Sequence, residues 1–330
     1  MRPFSYRSAD SVDTALALLA EHDGQARFVA GGTNLVDLMK LDVERPSRLV
    51  DIGRLPLDGI VETDDGGIRV GATARNSDVA AHPLIRERYP VVAQAIVAGA
   101  SGQLRNLATV GGNLLQRTRC VYFSDATKPC NKRTPGTGCP AREGEHHNLA
   151  VMGASEQCIA TNPSDFAVPL AAFDAVVHTR DGDGDHAIPL ADFYRLPGAE
   201  PQRDTTLPTG ALITAVSLPP SPLAVDAVYR KVRERASFAF AIGSIAAAVD
   251  VRDGVVRDVR IALGAVAPVP WRARATERAL VGQPATLESF RTAADAELAD
   301  AKPLRDNAYK VPLMRNLMVR TLAELSEAAA

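Results

Sequence analysis

The sequence predicts an α+β protein made of three successive units, and three observations support this fold class. A short βαβ-like pattern ends near Leu57, and a second mixture of strand and helix patterns extends to residue 222. Strand-like runs followed by helical patterns then occupy residues 223–330. The stretch Pro219–Pro222 has the composition of a linker. We therefore predict units at residues 1–57, 58–222 and 223–330.

The first unit begins with a helix for which Ser11 is the predicted N-cap. Apolar residues recur at helical spacing after Ser11, and Gly24 marks the end of this helix. Arg27–Ala30 and Leu49–Ile52 are predicted strands, and Leu35–Lys40 between them is a predicted helical turn. Together these segments give a small α/β unit.

The second unit also alternates strands and helices. Ile68–Ala72 is a predicted strand, and Thr73 is the predicted cap of a short helix over Ala74–Ala80. A longer helix is expected within Ile85–Ala98. The last predicted elements of this unit are a helix at Phe166–Ala172 and a strand at Ala175–Val177.

The third unit contains two strand-like runs, Ser244–Val251 and Val259–Ala265, separated by a turn at Asp253–Gly254. Helical patterns start at Thr276 and again at Pro312. This order of strands and then helices is typical of a separate α+β domain.

The composition restricts the class of protein. Of 330 residues, 46% are hydrophobic and 23% are charged, which is close to the average of globular proteins. The formal net charge is -2, so a nucleic-acid partner is disfavoured. No apolar run is long enough for membrane insertion, and Met1–Phe4 does not resemble the start of a secretory signal. We expect a cytoplasmic location, or a periplasmic one reached by co-export with a partner subunit.

Two double-glycine segments are candidate anion-binding loops. Residues 29–34 read Val-Ala-Gly-Gly-Thr-Asn and residues 108–113 read Ala-Thr-Val-Gly-Gly-Asn. Glycine lets backbone amides approach a ligand closely, and successive amides in a turn form a nest for anions. Two nests that face each other would suit a diphosphate. Plain tight turns are the alternative, and neither segment matches the dinucleotide fingerprint or a phosphate-binding P-loop.

All the cysteines lie within residues 120–158, in a stretch rich in proline, glycine and charged residues. Their spacing of nine, eight and eighteen intervening residues lacks the close pair that structural zinc sites usually contain. The clustering predicts a metal centre, whereas the spacing leaves zinc and an iron–sulfur cluster both open. Free thiols or two disulfides are the alternatives. The candidate ligands are Cys120, Cys130, Cys139 and Cys158, with His146 and His147 as rivals or as a solvated histidine pair.

Four short motifs together resemble a known family. Ala-Gly-Gly-Thr-Asn-Leu at Ala30–Leu35 and Ala-Thr-Val-Gly-Gly-Asn-Leu at Ala108–Leu114 resemble the FAD subunit or domain of xanthine dehydrogenase and carbon monoxide dehydrogenase. Pro163–Ala167 and Tyr229–Arg233 extend the resemblance over nearly the whole chain. The sequences around all four cysteines resemble the periplasmic aldehyde oxidoreductase branch, which carries an additional 4Fe–4S cluster in an insertion.

The resemblance implies a PCMH-type FAD-binding fold, with two α/β subdomains, an iron–sulfur insertion at about 117–158 and a C-terminal α+β domain of the carbon monoxide dehydrogenase flavoprotein type. It implies that Asp165 binds the FAD ribitol and that Lys231 lies near the isoalloxazine. Arg105 and Asn106 would brace the second glycine segment or face a partner. The four cysteines would ligate the 4Fe–4S cluster. The implied diphosphate-binding residues are Ala30, Gly31, Gly32, Thr33, Asn34, Leu35, Thr109, Gly111, Gly112 and Asn113.

The resemblance also implies that this chain transfers electrons and needs no catalytic side chain of its own. A small subunit with two 2Fe–2S clusters would deliver electrons from a large subunit that oxidises an aldehyde at a molybdenum cofactor. FAD would pass them to ferredoxin, oxygen or another carrier. The alternatives are the FAD subunit of an aromatic acyl-CoA reductase, a stand-alone flavin oxidoreductase and a zinc-stabilised scaffold.

Overall fold

The computed structural model describes residues 1–22 and 24–329, and three β-sheets with flanking helices organise them. The first sheet is parallel and has the strand order β1-β3-β2. Ser11 caps the first helix as expected, because its Oγ accepts a hydrogen bond from the Thr14 amide at 3.1 Å. The elements of this unit are β1 (Ser5–Ser8), α1 (Val12–Ala20), β2 (Ala26–Val29), α2 (Leu35–Lys40) and β3 (Arg48–Asp51).

The second sheet has five strands in the order β4-β5-β8-β6-β7, and all its neighbouring strands are antiparallel. Helices cover one face of it and share its main apolar core. Its elements are β4 (Ile60–Glu62), β5 (Ile68–Gly71), α3 (Asn76–Ala81), α4 (Pro83–Arg88), α5 (Pro90–Ala98), α6 (Gly102–Arg105), α7 (Val110–Leu114), α8 (Val121–Ser124), α9 (Ala167–Ala172), β6 (Val176–Asp181), β7 (Gly184–Pro189), α10 (Leu190–Phe193) and β8 (Leu212–Leu218), with a 3₁₀ turn at Pro140–Arg142.

The third sheet is antiparallel, with the order β12-β11-β10-β9, and three helices cover it. The predicted turn between its long strands is present, and Asp253 and Gly254 both adopt positive φ. The elements are β9 (Val228–Val232), β10 (Gly243–Arg252), β11 (Val255–Gly264), β12 (Trp271–Arg272), α11 (Arg274–Leu280), α12 (Leu287–Leu298) and α13 (Lys310–Ala329), after a 3₁₀ turn at Pro222–Ala224. The α+β fold class is confirmed, whereas the unit boundaries at residues 57 and 222 stay predictions.

One local prediction in the second unit is wrong. Thr73 does not cap a helix, because it is buried, its hydroxyl donates to the Leu55 carbonyl at 3.3 Å, and the helix begins only at Asn76. The longer helix expected within Ile85–Ala98 is present as α5, which starts at Pro90 after the separate helix α4, since proline lacks an amide hydrogen and suits the first position of a helix.

The segment that carries the cysteines is mostly irregular, but it is packed against the rest of the chain. Phe123, Leu149 and Ile159 form a small core with Leu38 of α2. Within the described residues, no helix is both long enough and apolar enough to cross a bilayer.

Candidate functional site

One cavity of about 640 Å³ lies where the two double-glycine segments approach each other. It is lined by residues from both segments, from the cysteine-containing stretch and from the third unit. Such a volume suits a cofactor-sized ligand. Six of the predicted binding residues line it, namely Thr33, Asn34, Gly112, Asn113, Asp165 and Lys231. Six others do not line it, namely Ala30, Gly31, Gly32, Leu35, Thr109 and Gly111.

The first double-glycine segment presents free amides. Residues 31–35 lead from β2 into α2. Within the described part of the chain, their backbone amides donate to no protein acceptor. Gly32 has a φ of +69°, a conformation that favours glycine. These amides are available to an anionic ligand, and the anion nest stays a prediction.

The second double-glycine segment differs from its prediction. No strand precedes it, and Gly111 and Gly112 lie inside the short helix α7, capped by Thr109. The Gly111 amide donates to Ala72 O at 2.9 Å, and the Gly112 amide donates to Thr109 Oγ1 at 3.4 Å. The amides of Val110–Asn113 have partners within the protein, so this segment differs from the first one, and its role in binding a diphosphate stays a prediction.

Three buried polar atoms around the cavity have no hydrogen-bond partner in the described part of the chain. They are Asn34 Nδ2, Asn76 Oδ1 and Arg119 Nε. Burial of unpaired polar groups is costly, so their presence in one cavity is typical of a binding site for a polar ligand.

Asp165 and Lys231 form a buried ion pair at the edge of this cavity. Lys231 Nζ lies 2.7 Å from Asp165 Oδ2, and the two side chains are only 3% and 10% exposed. Tyr229 donates its hydroxyl to Asp165 Oδ1 at 2.5 Å, and burial raises the Tyr229 pKa well above its ordinary value, with Asp165 adding to the effect. Lys231 is therefore not a solvated surface lysine. Ser164 Oγ accepts from the Ala167 amide at 3.0 Å at the start of α9.

Arg105 braces the turn before the second glycine segment. Its Nη1 donates to the Gly99 carbonyl at 2.6 Å, and the side chain also lines the cavity. The Asn106 amide donates to the Gly102 carbonyl at 3.1 Å at the end of α6. These contacts tie the pair to residues 97–102 and not to the glycine segment itself, so bracing of that segment stays a prediction.

A second cavity of about 940 Å³ adjoins the first, and Gln116 and Pro163 line both. Its walls include Phe28, Tyr194 and Asp204. Burial raises the Tyr194 pKa, and the hydroxyl donates to the Leu114 carbonyl at 3.0 Å. This cavity was not predicted from the sequence, because most of its lining residues are far apart along the chain and lie outside the motifs.

The four cysteines come together around one small cavity, together with Lys132 and Ile159. All four are free, so the disulfide alternative is wrong. Among the described residues, however, no group of three or more His, Cys, Asp or Glu side chains is placed to hold a metal ion. Burial raises the pKa of Cys120 to about 11 and also raises the pKa values of Cys139 and Cys158.

The two histidines are structural in different ways. His146 is buried, its Nδ1 is 3.1 Å from the Ala141 carbonyl, and its Nε2 accepts from the Asp306 amide at 3.0 Å. His147 stacks on Tyr309 with ring centroids 4.6 Å apart. Neither histidine lines the cysteine cavity, so they are not rival ligands there, and the interpretation of a solvated pair is wrong for His146.

Comparison with known families agrees with this arrangement. Residues 2–221 match the family described as the FAD binding domain in molybdopterin dehydrogenase, and residues 227–325 match the carbon monoxide dehydrogenase flavoprotein C-terminal domain. The chain therefore belongs to the FAD-binding subunits of the xanthine dehydrogenase and carbon monoxide dehydrogenase family, and it is an oxidoreductase subunit.

Individual relatives cover the whole chain. It is 49% identical over 325 residues to the aldehyde oxidoreductase FAD-binding subunit PaoB of Escherichia coli (strain K12), covering 98% of each chain. It is 25% identical to the carbon monoxide dehydrogenase medium chain of Hydrogenophaga pseudoflava, covering 97% of this chain and 96% of that one. The fold matches a chain of quinoline 2-oxidoreductase from Pseudomonas putida 86, with a TM-score of 0.77 at 22% identity over 99% of this chain and 98% of that chain.

Proposed function

We propose that FAD binds in an extended form across both cavities. The observation that carries this proposal is that the two cavities adjoin at Gln116 and Pro163, beside the free amides of residues 31–35. A dinucleotide is long, and its diphosphate in the middle needs amide donors such as these. The flavin half would occupy the 640 Å³ cavity and the adenosine half the 940 Å³ cavity.

The side chains in the flavin cavity would position the cofactor. Asn34 Nδ2 and Asn76 Oδ1 are the unpaired donor and acceptor available to it. Asp165 already accepts from Lys231 and Tyr229, so a contact to ribitol would use the remaining lone pairs of its carboxylate. When bound, FAD supplies two-electron and one-electron redox chemistry. This chain contributes binding, orientation and control of access.

We further propose that the chain is the electron-transfer subunit of an aldehyde oxidoreductase. The name of the PaoB relative and the 49% identity over the whole chain support this substrate class. The partners would be a small subunit with two 2Fe–2S clusters and a large subunit with a molybdenum cofactor. The outside acceptor would be ferredoxin, oxygen or another carrier.

The cysteine cavity would hold one 4Fe–4S cluster. A single zinc ion needs its thiolates at about 2.3 Å from one point, and the described residues contain no group arranged for one ion. A cubane spreads its four bonds over four iron atoms, so the thiolates lie further apart. The free state of all four thiols and their position around one cavity support this assignment, and the cavity, at about 10 Å³, would have to widen to admit a cubane. Because burial raises the pKa of Cys120, the bound metal would have to stabilise its thiolate.

The purified complex tests these proposals. Acid release should yield about one FAD per copy of this chain, and Asn34→Ala should weaken FAD binding about tenfold through loss of a buried donor. The matched control is Asn316→Ala, because Asn316 is exposed on α13 and lines neither the two FAD cavities nor the cavity of about 250 Å³ beside them. A chain that releases no FAD, and takes none up when it is added, would contradict the proposed function.

A further inference from the structure

Arg119 bridges three parts of the chain across the flavin cavity. It immediately precedes Cys120 in the cysteine-containing segment, and its side chain lines the 640 Å³ cavity. Its Nη1 lies 3.3 Å from Asp37 Oδ2 on α2, which follows the first double-glycine segment. Its guanidinium also stacks over the Phe240 ring, 4.7 Å from the centroid, in the third unit. Arg119 is thus held on both sides of the cavity by residues distant in sequence.

The guanidinium still has an unused donor. Arg119 Nε is buried and lacks a hydrogen-bond partner within the described residues. A buried N–H without an acceptor destabilises the protein unless a ligand or water accepts from it. The same side chain borders a smaller cavity of about 250 Å³ that also contains Asp165 and Phe240, so space for an acceptor exists on this side.

Within the described residues, the other cations of the flavin cavity donate to protein acceptors, and only Lys231 among them is paired with a buried carboxylate. Lys231 is paired with the buried carboxylate of Asp165 and also donates to the Ala98 carbonyl. Arg105 donates to Gly99 O, and the Arg235 guanidinium donates to Phe238 O. The partner of Arg119, Asp37, is 52% exposed, so solvent screens that ion pair. Arg119 therefore combines a weakly neutralised charge with a free buried N–H.

We propose that Arg119 is a flavin-contacting residue that this chain adds through its cysteine-containing segment. Its Nε–H donates to an acceptor atom of the flavin, and its positive charge binds the reduced, anionic flavin more tightly than the oxidised form. The inference rests on the proposed binding of FAD in this cavity. It means that the segment carrying the cysteines also sets the reduction potential of the flavin.

The test measures FAD affinity in two redox states. In Arg119→Met, oxidised FAD should bind about tenfold more weakly than in the unchanged protein, because a charged donor is lost. The affinity for reduced FAD should fall about tenfold more than the affinity for oxidised FAD. The two-electron midpoint potential of the bound flavin should therefore fall by about 30 mV. The matched control is Arg142→Met in the same segment, since Arg142 pairs with exposed Glu156 and lines neither FAD cavity.

Arg119→Lys separates charge from geometry. It should retain the midpoint potential of the unchanged protein, while oxidised FAD still binds more weakly because lysine lacks the planar fork. The proposed role of Arg119 would be overturned if Arg119→Met lost affinity equally for oxidised and reduced FAD, or if neither affinity changed. If Arg119→Met does not fold, a lowered potential in Arg119→Lys would overturn it as well. Absence of FAD binding in the unchanged protein would instead defeat the proposed function.

Discussion

Gly31 and Leu107 touch so closely that no side chain fits between them. A Cβ atom added to Gly31 would lie only 1.8 Å from the carbonyl oxygen of Leu107. The first double-glycine segment therefore packs directly against the chain that leads into the second one. The absence of a side chain at Gly31 is therefore needed for this contact between the two segments.

Gly31→Ala should accordingly separate the two segments. We expect a loss of about 2 kcal/mol or more in the free energy of unfolding and the loss of FAD from the purified protein. Denaturant titration and flavin content measure the two effects. The control is Gly102→Ala, where an added Cβ meets no described atom within 4 Å and unfolding should change by less than about 1 kcal/mol. Full FAD occupancy in Gly31→Ala would contradict the close approach.

The ion pair of Lys231 and Asp165 gives a second prediction. Both side chains are almost fully buried, so Lys231→Met leaves the Asp165 carboxylate with only Tyr229 as a donor among its side-chain partners. We expect about 3 kcal/mol of destabilisation, since a buried charge loses its counter-charge. The double variant Lys231→Met/Asp165→Leu should recover part of this loss, because neither charge remains. Chemical unfolding measures both, and equal or greater destabilisation in the double variant would rule out the explanation.

The sequence predicted elements whose pattern is local. Strands β10 and β11 and helix α2 were predicted to within a few residues, since each combines a continuous apolar or alternating run with a clear turn or glycine boundary. Strand β8 was missed, although it lies in the middle of the five-stranded sheet. Its place depends on pairing with β5 and β6, which are distant along the chain.

The site was predictable to a similar degree. The family resemblance implied that both glycine segments, Asp165 and Lys231 contribute to one cofactor site. Motifs do not indicate which backbone amides lack a partner in the folded protein. The hydrogen bond of the Gly111 amide to Ala72 depends on the packing of α7 against the second sheet, which the sequence does not encode locally. Arg119 was not singled out for the same reason, because its partners Asp37 and Phe240 are far from it in sequence.

The position of the cysteine cavity outside the FAD cavities predicts that a cysteine variant can lose iron and still bind FAD. Cys130→Ser should lower the iron content from the roughly four atoms of a 4Fe–4S cluster, while FAD remains bound, because Cys130 lines the cysteine cavity and neither FAD cavity. Metal analysis and the dithionite-bleachable visible absorption measure this. Ser124→Ala in α8 is the control, since Ser124 does not line the cysteine cavity. Iron that persists at full content in Cys130→Ser would show that the ligand assignment is wrong.

Lys310 provides a prediction about pH. It is completely buried at the start of α13, and its Nζ donates to the carbonyls of Asn148 at 3.0 Å and Ala265 at 2.8 Å. Burial lowers its pKa from 10.5 to about 7. Between these values the unfolded chain binds more protons than the folded one. The contribution of Lys310 to stability therefore rises with pH from about 7 to 10.5, by at most about 1.4 kcal/mol per pH unit.

Lys310→Met should remove this slope. The free energy of unfolding is measured between pH 7 and 9 for the unchanged protein and for Lys310→Met. As the pH rises, the free energy of unfolding of the unchanged protein should increase relative to that of the variant. Lys40→Met is the control, because Lys40 is exposed on α2 and should leave the slope unchanged. A parallel pH dependence in the Lys310→Met and unchanged proteins would mean that the buried amine stays charged in the folded state, held by its two carbonyl acceptors.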